Sequence, residues 1–194
     1  MARICFTGND NMIRLEQRKR LTRLASLSIE HGVRQGCALP VHSSEWPAEL
    51  YEMRCSFVTL HKHGELRGCI GSLVATQPLA RDVSHHAFGA AFRDPRFLPV
   101  VAGELESLQV HISVLSIPSA LSFDSEADLL GVIQPGLDGL ILREGTQQAT
   151  FLHAVWESLP EPMQFLAQLK LKAGLDRNYW SDQITIERYT TESW

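Results

Sequence analysis

Phe57–Ser72 reads FVTLHKHGELRGCIGS. Phe57 to Lys62 has the look of a strand, His63-Gly64 is a turn pair, and Leu66 to Ser72 is strand-like again. A two-residue turn with glycine second predicts a tight antiparallel hairpin. With Lys62 facing Glu65, Cys69 stands opposite Val58 and Arg67 opposite Leu60. His61 then falls on the other face, beside Leu66.

Leu108 to Ser116 extends the same reading. Leu108, Val110, Ile112 and Val114 point one way and Gln109, His111 and Ser113 the other, which is the period of a half-buried strand. Helical spacing flanks these strands. Asn9-Asp10-Asn11 offers N-cap chemistry to a helix from Met12 to about His31, with Gly32 as its stop. Residues 33–54 hold Pro40 and Pro47 and read as an irregular, exposed connection. Pro78 opens a second helix that ends by Phe92, because Asp94-Pro95 disfavours α geometry. A helical turn is expected near Asp128, and strands over Gly139–Leu142 and Thr150–Val155. A further helix covers Pro162–Ala173, with Lys170 and Lys172 in its last turn and Gly174 as cap. The final strand is Ile184–Tyr189. Helices and hairpins mix without βαβ alternation. The expected fold is α+β: a mainly antiparallel sheet with flanking helices, with room for two unequal lobes in one domain.

The chain has 194 residues, 44% of them hydrophobic and 21% charged, and a formal net charge of -4. That is one ordinary globular domain in length. The net charge argues against a broadly basic nucleic-acid binder. No run of 18 apolar residues is present to span a membrane as a helix, and MARICFTGNDN turns polar too soon for a signal peptide. The expected setting is cytoplasmic, with Cys5, Cys37, Cys55 and Cys69 as free thiols. Their spacing contains no CxxC pair, and no metal or other cofactor is expected.

The densest chemical signal is Leu66–Gly71. Glycines inside a strand mark a bulge or a close approach. Arg67 and Cys69 are two apart, about 6.6 Å along one strand face. A cation so near favours a thiolate, so the functional reading is a reactive or ligand-contacting Cys69 beside an anion-binding Arg67. The plain alternative is a thiol buried against apolar neighbours. Asp94–Phe97 (DPRF) is the second signal: Asp94 can fix the loop and Arg96 can grip an anion. Asp82 precedes His86 by one helical turn and could orient that imidazole. Arg14, Arg18, Lys19, Arg20 and Arg23 set a basic run on the first helix. It offers a phosphate contact, or a solvated face in which losing Arg18 and Arg20 costs little.

FVTLHKHGELRGCIGSL, PLARDVSHHAFGAAFRDPRFLPV, HISVLS, DGLIL, KAGL and RYTTES together resemble the AMMECR-one domain family, from about Leu21 to the C-terminus. Its bacterial members are called AmmeMemoRadiSam system protein A. One departure is Phe151–Trp156, FLHAVW, where the family usually has a proline after FL. The resemblance implies an α+β fold in two unequal lobes. It implies action alongside a Memo-like protein and a radical SAM protein, without a settled reaction. It places the ligand or partner site at Arg67, Gly68, Cys69, Gly71, Asp94, Arg96 and Phe97. Beside this accessory reading stand two others: a cysteine-dependent enzyme using Cys69 on a small substrate, and a nucleic-acid contact through the first helix.

Overall fold

Lys62 pairs with Glu65 across His63-Gly64, whose φ angles of 54° and 83° are those of a two-residue hairpin turn. The strands on either side are β1 (Ser56–Lys62) and β2 (Glu65–Gly71). The expected register survives only to His61–Leu66. There the pairing slips by one residue, and Leu60 meets Gly68, Thr59 meets Cys69 and Val58 meets Ile70. Arg67 is the extra residue of a β-bulge. The predicted pairs Cys69–Val58 and Arg67–Leu60 are therefore wrong. The reason lies in packing. Val58 and Leu60 are fully buried in the helix-facing core. The slip sets Ile70 and Gly68 beside them and keeps a guanidinium out of that layer.

The structure is a computed structural model that describes residues 13–194. One compact unit runs to Leu115 and takes in Glu192–Trp194; the other is Ser116–Thr191. In the first unit the sheet order is β2-β1-β3-β8, with β3 at Leu108–Leu115 and β8 at Thr191–Ser193. α1 (Leu15–Gln35) and α2 (Leu79–Phe92) cover one face of it. Leu21, Leu24, Ala25 and Ile29 of α1 pack with Leu79, Val83 and Ala87 of α2 over Val58, Leu60, Ile112 and Val114. α1 runs a turn further than its sequence suggested. Gly36, with φ 71°, is its left-handed cap. Gly32 lies inside the helix, where a Cβ would overlap the Phe92 ring. Asn9–Asn11 lie outside the described residues.

The second unit has the sheet β4-β7-β5-β6, formed by Ser119–Ala120, Thr185–Tyr189, Gly139–Glu144 and Gln147–Phe151 respectively. α3 (Glu126–Val132) and α4 (Pro162–Lys172) belong to it. Phe165, Leu166 and Leu169 of α4 meet Leu140 and Leu142 of β5 in a separate core. His153–Glu157 forms a 3-10 turn rather than continuing β6 as expected. Lys170, read as a capping charge, is fully buried and donates to Glu126 beside the Trp180 ring. Both sheets are antiparallel and helices flank them, so the fold is α+β.

Candidate functional site

β2 is an edge strand, so the outward backbone groups of Cys69 have no neighbouring strand. The loop leaving α2 supplies the missing partners. Asp94, 2% exposed in its side chain, accepts the Cys69 N–H at 2.8 Å through Oδ2. Its two oxygens also take Arg96 Nε at 2.9 Å and Nη2 at 2.7 Å, and Oδ1 takes the Arg96 N–H at 3.1 Å. Arg96 Nη2 reaches back to the Cys69 carbonyl at 3.4 Å. The Arg96 guanidinium, helped by the Cys69 and Arg96 N–H groups, holds the Asp94 carboxyl well below the usual carboxylate range against the opposing effect of burial. Phe97 lies under Arg96, ring centroid to guanidinium 5.4 Å. The side chains of Asp94 and Arg96 thus cap the open strand edge at Cys69.

The bulge hands Arg67 to a different carboxylate. Arg67 Nε and Nη2 each lie 3.0 Å from Glu104, and Lys62 Nζ lies 2.9 Å from the same group. The two cations, Arg67 first, pull the Glu104 pKa down to about 2. Arg67 Nη1 is buried with no hydrogen-bond partner among the described residues. Because Arg67 is the extra residue, strand alternation no longer places it on one face with Cys69. The shared-face argument made from spacing fails at this point.

The glycines of the motif have packing roles. A Cβ on Gly68 would overlap the Ala90 carbonyl oxygen of α2, and one on Gly71 would overlap the Phe57 ring. Ile70 packs against Gly89 of α2. Cys69 alone in the hexamer turns a functional side chain to the sheet face away from α2. There it is half-buried, and Thr59 Oγ1 donates to its Sγ at 3.3 Å. Thr59 in turn pairs with His111, and the His61 ring meets His111 edge-on at 5.0 Å. Sequence reasoning had set His61 away from Cys69; the slip puts both on this face. The signal for it was the presence of Gly68 and Gly71 inside one strand, which marks a bulge or a close approach. Cys55, by contrast, is buried and its thiol is pushed up to about 11, first by burial and then by Asp82. Among the described residues no cluster of three or more His, Cys, Asp or Glu could hold a metal ion.

The basic run on α1 is largely committed within the chain. Arg18 donates to Glu192 at 2.8 Å and to the Ile13 carbonyl at 2.8 Å, and its guanidinium lies 5.2 Å from the Trp194 ring centroid. Arg14 pairs with Glu49, Lys19 with Glu16, and Arg20 donates to the Glu45 carbonyl. Arg18 is therefore a tie between α1 and β8, not the solvated charge expected from sequence.

The AMMECR1 family model matches residues 22–194, which include every residue of this site. This chain belongs to the AMMECR1 family. A protein of Thermotoga maritima is 38% identical over 167 residues, covering 84% of this chain and 90% of that one. One from Methanothermobacter thermautotrophicus is 34% identical and covers 88% of each. The crystal structure of an uncharacterised protein from Pyrococcus horikoshii superposes with a TM-score of 0.73 at 32% identity, over 93% of this chain and 92% of that one. Among the described residues no helix is long and apolar enough to cross a membrane.

Proposed function

We propose that this AMMECR1 chain is a binding component of the AmmeMemoRadiSam system, protein A of that set, acting with a Memo-like and a radical SAM protein. Its site is the β2 edge and face built by Arg67, Gly68, Cys69 and Gly71 with Asp94, Arg96 and Phe97, and it receives a small anionic ligand or a partner surface. One observation carries the reading. Packing consumes the backbone and glycines of the motif, yet Arg67 Nη1 is buried without a partner among the described residues, and the half-buried Cys69 thiol accepts from Thr59 but is held in no disulfide. A buried N–H without an acceptor calls for one. The test is maleimide labelling of the native protein. Cys69 is expected to react without denaturant, as exposed Cys37 does, while Cys55 stays protected. Labelling of Cys69 only after unfolding would remove it from the site.

A second reading, a cysteine-dependent enzyme, is favoured by one feature: His61 and His111 share the sheet face of Cys69. A base on that face could take the thiol proton. A labelling rate of Cys69 unchanged by His61→Asn and by His111→Asn would exclude it.

A further inference from the structure

Two adjoining cavities lie beside α2, away from the Cys69 face, and share Ala38 and His85. One, of about 340 Å³, lies among Cys37, His86, Phe88 and Arg93. The other, of about 310 Å³, continues to His42 and Arg81. Each is at the lower end of the size of small-molecule pockets. All of their lining belongs to the first compact unit.

The fixed charges that line this groove, Arg81 and Arg93, have one sign. Its walls carry two arginines and three histidines and no carboxylate. Arg93 differs from Arg67 and Arg96, each of which is spent on a carboxylate. It stacks on Phe88, guanidinium to ring centroid 5.1 Å, and makes no ion pair among the described residues. Its donors are open to a ligand. Ile70, Phe88 and Gly89 give the same cavity an apolar floor.

His86 adds a directional group. Its Nδ1 lies 3.1 Å from Asp82 Oδ2 and 3.3 Å from Ser56 Oγ. Ser56 Oγ–H donates to Asp82 Oδ2 at 2.7 Å, so the serine oxygen is free to accept. Nδ1 therefore carries the proton in the neutral ring, and Nε2 presents a lone pair. Asp82, 1% exposed, is itself fixed by the Ser56 N–H at 2.8 Å and by Gln77. The imidazole is thus aimed and its tautomer set by a buried carboxylate, an arrangement that core packing does not require.

We propose that this groove binds a small molecule that carries an oxyanion, phosphate or carboxylate, together with a hydroxyl hydrogen. The oxyanion pairs with Arg93 by charge-assisted hydrogen bonds, His86 Nε2 accepts from the hydroxyl, and the carbon skeleton lies on Ile70 and Phe88. The groove uses none of the residues assigned to the Cys69 site, so either proposal can fail alone.

Glycerol phosphate and lactate serve as probes of the two oxyanion sources, with propionate as the carboxylate that lacks a hydroxyl. Titration is followed by the imidazole signals of His85 and His86 in NMR and by the labelling rate of Cys37. At least one probe is expected to shift both histidines saturably and to slow Cys37 labelling, with propionate weaker than lactate. Arg93→Gln, on an exposed side chain, is expected to weaken binding about tenfold or more, as the loss of a charge-assisted contact does. Its thermal midpoint should be unchanged. No saturable shift with either probe up to about 10 mM, where even a millimolar site fills, would overturn the proposal. So would equal binding by Arg93→Gln.

Discussion

At Gly68 a single hydrogen atom sets how closely β2 approaches α2. Any larger group overlaps the Ala90 carbonyl, which belongs to helix backbone and cannot swing aside. Gly68→Ala is therefore expected to destabilise the chain by about 1–3 kcal/mol, the usual cost of overpacking. Urea denaturation measures it. A variant as stable as the parent would mean that β2 can move off α2 freely. Gly64 costs something different, because its surroundings are open and the strain lies in its own positive φ.

The bulged hairpin is held by one carboxylate that serves two cations. Glu104 is deprotonated in the folded state down to about pH 2, against an ordinary value of 4.5. A lowered carboxyl pKa gives stability that is complete above the unfolded value and lost as pH falls through the folded one. Glu104→Gln should therefore cost roughly 2 kcal/mol at pH 7, a typical value for losing charge-assisted hydrogen bonds. The gap between variant and parent should begin to close below pH 4.5 and nearly vanish near pH 2. Urea midpoints across that range check the sign. A gap that stays constant with pH would show that Glu104 acts through packing alone.

Glu192–Trp194 belong to the first compact unit, although Ser116–Thr191 before them form the second. Trp194 exchanges backbone hydrogen bonds with Ile112 at 3.0 and 3.1 Å, and its indole N–H donates to Thr22 at 3.1 Å. Glu192 accepts from Arg18 and from the Ile13 N–H. Trp194→Ala is expected to cost roughly 2–3 kcal/mol, below the range for a fully buried tryptophan because the side chain is only half-buried. Hydrogen exchange should show the loss in α1 and β3, although the substitution lies at the far end of the chain. Protection unchanged in α1 would refute the tie.

Local rules made much of this protein legible from its residues. Alternation gave β3, helical spacing and the Asp94-Pro95 stop gave α2, and His63-Gly64 gave the turn, since each depends on near neighbours only. The resemblance also grouped LRGCIG with DPRF, far apart in the chain, and the structure brings Asp94 into contact with Cys69. Other features depended on partners distant in sequence. The bulge arises because α2 admits Gly68 and Ile70 but not Arg67. The commitment of Arg67 to Glu104, of Arg18 to Glu192 and of buried Lys170 to Glu126 joins residues 37, 174 and 44 positions apart. The strand β8 exists because β3 leaves an edge for it. Hydrophobic period specifies which side of an element is buried. Only the approach of whole elements decides which residue stands opposite which, and so to which face of the sheet a thiol turns.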